Sequence, residues 1–264
     1  MPQSHFRATA FLVERWLAVP GNRLGLLVSL TALSATALLG GRMLVPLVCG
    51  TDAGPVDWDR LAGQSRLFFA LNQPLLIASA WLAMVVAMMA PLAVAPLRYV
   101  VGASLATRRQ RSAAAFAAGY FGCWLLAGPL LIAVAVAIRA AAPGNVAGFV
   151  LAAALALGWS AGPWSQAARN RAHQVRRIGL FGLAADLDCA GLGVRVAARC
   201  IAACWPWMVV PLFAAQGHLP AMALAIAMVV AEDLRGPSPP RWRLPFPFNL
   251  ARRGFAAPGI ARRA

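Results

Sequence analysis

The stretch LLIASAWLAMVVAMMAPLAVAPL, residues 75–97, runs for 23 residues without a charged side chain. At about 1.5 Å per residue a helix of that length crosses a hydrocarbon core roughly 30 Å thick. Working outward, the same low-charge pattern recurs at residues 24–48, 113–138, 146–164, 196–216 and 219–231. Gly40, Gly41 and Arg42 fall inside the first of these, so its outer end is expected to break or leave the lipid there. The last is short unless Glu232 to Leu234 continue it. Composition agrees. The 264 residues are 61% hydrophobic and only 12% charged, with a mean hydropathy of +0.68, whereas about a quarter of a soluble globular protein is charged. The expected fold class is all-α: a polytopic membrane helical bundle of about six transmembrane helices, formed by residues 1–235 as one domain.

Charge orients this bundle, because Arg and Lys near helix ends are retained on the cytoplasmic side. All 24 basic residues are Arg. Twenty lie in the N-terminal arm, the second-to-third and fourth-to-fifth connections and the C-terminal segment; the other connections hold Arg42, Arg60, Arg66 and Arg139. Both termini are therefore expected in the cytoplasm (N-in, C-in), with the chain multi-pass in the bacterial inner membrane. Glu14 and Arg15 interrupt the first apolar patch, and no small-x-small cleavage pattern precedes Arg42, so an uncleaved anchor is expected rather than a secretory signal. The formal charge of +16 then reads as topology plus attraction to anionic lipid. Nucleic acid is not an expected partner, since no binding motif accompanies the charge. Residues 236–264, rich in Pro, Gly and Arg, are expected as a disordered basic tail on the cytoplasmic membrane surface.

The groups able to do chemistry are sulfurs. Cys200 and Cys204 stand at i and i+4, which puts them on one helix face, and Met208 extends that face by a turn. On the second run Met84 and Met88 repeat the spacing, with Met89 beside them. Thiolate and thioether sulfur are soft donors that favour Cu(I) over hard cations. Depth permits the two rows to meet. Met88 lies roughly 20 Å below the outer end of its helix and Cys204 roughly 12 Å above the inner end of its own, nearly level in a core about 30 Å thick. The same count sets Met84 level with Met208. Met and Cys also serve as packing residues, so spacing alone leaves a structural reading open. Two thiolates around one Cu(I) carry a net negative charge, a cost in hydrocarbon that Arg195 and Arg199 would ease.

Taken in order, Trp81, Met84, Met88, Met89 and Pro91, then Gly119, Tyr120 and Trp124, then Gly158 and Pro163, then Cys200, Cys204, Trp205 and Met208, and finally Met222 and Glu232 resemble an uncharacterised bacterial family of predicted metal-binding integral membrane proteins. The resemblance covers roughly residues 75–235. It implies a helical inner-membrane protein with Met and Cys ligands. The chain departs from the family pattern at Ala203, where a further cysteine is usual, at Ala221, where a tryptophan is usual, and after the fourth run, where WSQAARNRAH lacks a cysteine pair. Its ligand cysteines are thus a depleted set.

The expected function is binding or handing over a soft metal ion, copper(I), through Met84, Met88, Met89, Cys200, Cys204, Met208 and the outlying Met222. No catalytic residues are expected, since no Ser-His-Asp arrangement or phosphate-binding glycine loop occurs. Two alternatives remain at this point. One is a structural or accessory subunit, with a protein partner, in which the sulfurs only pack. The other is a thiol oxidoreductase, weakened because Cys-x3-Cys replaces the usual Cys-x-x-Cys spacing.

Overall fold

A computed structural model describes residues 20–40, 58–142, 144–172, 178–179, 181–214, 217–234 and 238–244. Among these every regular element is helical. The helices are α1 (Pro20–Gly40), α2 (Trp58–Leu71), α3 (Pro74–Ala103), α4 (Arg109–Ala141), α5 (Asn145–Ala161), α6 (Pro163–Ala172), α7 (Gly182–Val209) and α8 (His218–Asp233). Short 3-10 turns precede α4 at Ala106–Arg108 and extend α7 at Val210–Phe213. Four stretches are long and apolar enough to cross a membrane: Gly21–Leu39, Pro74–Ala103, Ala106–Ala141 and Gly182–Phe213. The α5–α6 pair, bent by 62°, would make a fifth. At 16 residues, α8 rises about 24 Å, short of the core thickness by itself.

Two elements differ from the sequence expectation. The helix of the fifth run starts at Gly182, well before Val196; Asp186, Asp188 and Arg195 kept its first turns out of the apolar run. The short α2 (Trp58–Leu71) occupies a stretch read as a connection. Arg60 and Arg66 kept it out of the apolar runs. Residues 41–48, the outer part of the first expected span, lie outside the described residues.

The contacts give the helix directions. Gly21 lies against Arg98 and Val94, and Gly25 against Val94 and Pro91, so α1 and α3 are antiparallel. Along α4 and α7 the contacts advance together, from Arg108 with Asp186, through Phe116 with Gly193, to Tyr120 with Cys200, so these two are parallel. Gly148 meets Phe213 while Trp159 donates to the Ala202 carbonyl at 3.0 Å, which makes α5 and α7 antiparallel. Large apolar side chains line the outside, Leu126, Leu75 and Val146 among the most exposed.

The α4–α7 contact is the closest in the bundle, and two glycines permit it. A Cβ on Gly119 would stand 2.2 Å from the Ala190 carbonyl oxygen, and one on Gly193 would stand 2.2 Å from that of Phe116. Small residues let helix backbones approach in this way.

The break after α5 also follows from sequence. Pro163 disfavours helical geometry in the residue before it, and Gly162 is extended (φ −76°, ψ 156°). The carbonyls freed by the break find partners. Ser165 Oγ lies 3.1 Å from the Gly162 oxygen and 3.3 Å from that of Ser160, and Arg243 N–H donates to the Ala161 oxygen at 3.0 Å. Ser238 is held by Asn170, whose amide donates to the Ser238 carbonyl at 2.8 Å. Residues 238–244, the start of the segment expected as a tail, are therefore laid along α5 and α6. The remainder of that segment, with Phe246 and Phe248, lies outside the described residues.

Candidate metal centre

Three sulfurs meet inside the bundle. Cys200 and Cys204, one turn apart on α7, have Sγ atoms 3.6 Å apart. Met89 of α3 places its Sδ 3.7 Å from Cys200 and 3.9 Å from Cys204. The point equidistant from all three lies about 2.2 Å from each, close to the roughly 2.3 Å of a zinc–thiolate bond. A trigonal ion with soft preferences thus fits the triangle without any change in its edges.

The surroundings hold these atoms in place. Met89 and Cys204 are fully buried and Cys200 is half-buried. The Cys204 thiol donates back to the Cys200 carbonyl at 2.9 Å, and the buried Tyr120 hydroxyl donates to Cys200 Sγ at 3.5 Å. Tyr120 reaches this position because Gly119 and Gly193 bring α4 against α7. Its ring stacks on Phe116 and meets the edge of Phe121. A metal ion entering the triangle displaces the thiol protons that these contacts hold.

A cavity of about 60 Å³ adjoins the triangle, lined by Leu92, Tyr120, Cys200, Cys204, Arg169 and Asp233 among others. That is room for water. The Arg169 side chain, 11% exposed, pairs with Glu232 at 3.4 Å and donates to Ser165 Oγ at 3.1 Å. Asp233 is exposed, so the cavity reaches the surface on that side. Arg199 lines it too and donates to the Arg171 carbonyl. No group of three His, Cys, Asp or Glu side chains converges among the described residues, so the donor set is soft, with no oxygen cage for a hard cation.

The sequence reading named Met84, Met88 and Met89 together and permitted their helix to meet that of Cys200 and Cys204; of the three, Met89 makes the contact. Met88 was expected level with Cys204, whereas Met89 makes the contact. Trp81 explains the difference, since its Nε1–H donates to the Trp124 carbonyl of α4 at 3.2 Å. Met88 follows Trp81 by two helical turns and shares that α4-facing side, while Met89 is rotated about 100° further, toward α7. Met84, Met88, Met208 and Met222 are buried in the same core, but the sulfur contacts to the cysteines come from Met89. All six described methionines are buried, while among the described leucines only Leu131 and Leu192 are. Methionine is thus confined to the interior of a bundle whose outside is leucine. Tyr120, Arg169 and Glu232 were not read as site residues, although Tyr120 and Glu232 stand in the resemblance pattern. His218 sits at the start of α8 with Nδ1 2.8 Å from the Pro211 carbonyl oxygen.

The model of the PpoB2 family, described as a copper chaperone, matches residues 78–244. The chain belongs to the PpoB2 copper chaperone family. No curated protein and no solved structure matches it. The PpoB2 match takes in Met89, Tyr120, Arg169, Cys200, Cys204 and Glu232, and runs on through Ser238–Leu244, the segment docked on α5 and α6. The family description is compatible with copper handling.

Proposed function

We propose that this chain binds Cu(I) in the Met89, Cys200 and Cys204 triangle and hands it on, as a multi-pass protein of the inner membrane. The observation that carries the reading is the triangle itself, with edges of 3.6, 3.7 and 3.9 Å around a point within bonding distance of all three sulfurs. Low-coordinate soft sulfur selects Cu(I), and membership of a copper chaperone family points the same way. Cys200 and Cys204 bind as thiolates and Met89 as a neutral thioether. Binding and release need no bond chemistry beyond ligand exchange, so the protein is not an enzyme. Met84, Met88, Met208 and Met222 stay in the role of core sulfurs around the site.

The membrane reading rests on the exposed leucines of helices already long enough to span, on the alternation of α1, α3, α4, α5, α7 and α8, and on the sequence count of 20 arginines against 4, of which Arg195 and Arg199 lie within α7. In that arrangement α8 completes six crossings, both termini are cytoplasmic, and the arginine-rich face meets anionic lipid. Elemental analysis of the detergent-purified protein tests the function. One copper per chain is expected, falling to background in the Cys200→Ala, Cys204→Ala double variant. Copper content unchanged by that double substitution would refute the proposal.

A further inference from the structure

Residues 238–244 lie back across the break between α5 and α6. Asn170 holds the start of the segment in both directions, its amide donating to the Ser238 carbonyl at 2.8 Å and its Oδ1 accepting from the Ser238 N–H at 3.2 Å. Gln166 braces Asn170, donating to the same Oδ1 at 2.7 Å. At the other end the Arg243 N–H donates to the Ala161 carbonyl at 3.0 Å. This docking brings the Arg243 side chain close enough to Arg169 for the two charges to act on each other, and Arg169 interacts in the same way with Cys204. The two guanidinium groups share one feature. Arg169 Nε and an Arg243 Nη are buried and have no acceptor among the described residues. Buried donors left unused destabilise, and here they mark a local surplus of positive charge.

Around the cavity and behind it, Arg169, Arg199 and Arg243 stand against Glu232 and Asp233, which leaves one net positive charge while both cysteines are thiols. Two thiolates holding one Cu(I) add one negative charge, so the loaded site sums to zero. Without Arg243 the loaded site would carry a net negative charge against an apolar core, which is unfavourable. We infer that residues 238–244 are a copper-coupled latch: docking of the segment brings in Arg243, Arg243 neutralises the loaded sulfur site, and bound Cu(I) and the docked segment stabilise each other. The inference rests on the proposed copper site.

Such coupling is reciprocal. The factor by which docking raises Cu(I) affinity is the factor by which Cu(I) favours docking. It also gives the α5–α6 break a use, because the Ala161 carbonyl that anchors the Arg243 backbone is free only where Gly162 leaves helical geometry. A segment that merely patched the break would use the Arg243 backbone alone, and its docking would be indifferent to the Arg243 side chain and to copper.

Hydrogen exchange of the detergent-purified full chain, resolved by peptide mass spectrometry with and without bound Cu(I), reads the docking. Cu(I) should slow exchange across residues 238–244 at least about tenfold, the size expected of one charge acting across a partly buried site. The outer end of α4, where the Ala142 N–H donates to the Ile138 carbonyl at 2.8 Å, should change little. In competition with the Cu(I) chelator bicinchoninate, Arg243→Gln should bind Cu(I) at least about tenfold more weakly, and Cu(I) should no longer protect its segment. Arg243→Lys, which keeps the charge, should restore both. If wild-type residues 238–244 exchange at a rate indifferent to Cu(I), or are slowed no more than the end of α4, the latch is overturned with the copper site intact, and that measurement needs no variant to fold. Wild-type Cu(I) affinity in Arg243→Gln would overturn it as well. Copper that is independent of Cys200 and Cys204 would overturn the site itself.

Discussion

Replacing Gly193 by alanine adds one methyl group at the tightest point of the bundle. The new Cβ would stand 2.2 Å from the Phe116 carbonyl oxygen and 2.8 Å from the Tyr120 nitrogen. Both are backbone atoms, so no side-chain rotation relieves the clash. To restore an ordinary contact of about 3.4 Å, α4 must retreat from α7 by about 1.2 Å. Overpacking of this kind costs typically 1–3 kcal/mol, and a rigid backbone partner puts this case near the upper end. At about 2–4 °C per kcal/mol for a chain of this size, the melting midpoint should fall by roughly 6–12 °C. The same retreat carries Tyr120 away from Cys200, where its hydroxyl now lies 3.5 Å from Sγ.

Two measurements on the detergent-solubilised chain follow. Thermal denaturation gives the midpoint, and maleimide labelling resolved by peptide mass spectrometry gives the rate at Cys200, which should rise severalfold as Tyr120 withdraws. Gly122→Ala on the same helix serves as the control, because nothing lies within 4 Å of its added Cβ. It should be neutral or slightly stabilising, since alanine is the better helix former by about 1 kcal/mol. If Gly193→Ala melts with the wild type and Cys200 labels at an unchanged rate, the argument that glycine lets α4 deliver Tyr120 to the sulfur site is wrong.

Met89→Leu nearly conserves volume and should leave the fold within about 1.5 kcal/mol of wild type. It should also lower the sulfur neighbours of bound copper from three to two in X-ray absorption and weaken affinity at least about tenfold, or 1.4 kcal/mol. Three sulfurs retained would mean that Met88 or Met208 supplies the thioether. Glu232→Gln strands the Arg169 guanidinium, 11% exposed beside a carboxylate that is 1% exposed, and breaking a buried pair in this way costs about 3–5 kcal/mol. The double variant Arg169→Met, Glu232→Gln should recover much of that loss in thermal denaturation; losses that simply add would show the pair to be uncoupled.

Much of the helical layout is legible in the sequence because hydropathy has a long period. A run such as residues 75–97 announces a helix whatever its neighbours do, and the matching helix is α3 (Pro74–Ala103). What hydropathy does not carry is rotation about the helix axis. Met88 and Met89 are indistinguishable as letters in an apolar run, and the choice between them depends on Trp81 finding the Trp124 carbonyl on another helix. Polar helix was equally hard to read. The first turns of α7 carry Asp186, held by Arg108 at 2.7 Å and Arg111 at 2.6 Å, and a stretch with that much charge reads as a connection. The cysteine pair was legible because i, i+4 spacing fixes its geometry within a single helix.

The bend at Gly162 connects these scales. A straight α5 would continue along its own axis, taking Arg169 with it. The 62° turn instead lays α6 against α7, where Arg169 pairs with Glu232 at the end of α8 and walls the same cavity as Cys204. The break leaves carbonyls to satisfy, and Ser165 and the backbone of Arg243 take them up. Trp207 fixes the other side, donating from Nε1 to Ser160 Oγ at 2.8 Å one turn beyond Cys204. Each group that closes the break is thus tied to a group that shapes the sulfur site. The Pro, Ser and Arg residues of α6 and of residues 238–244, which composition alone marks as punctuation and charge, are the means by which a cation is held beside two thiols inside an otherwise apolar core.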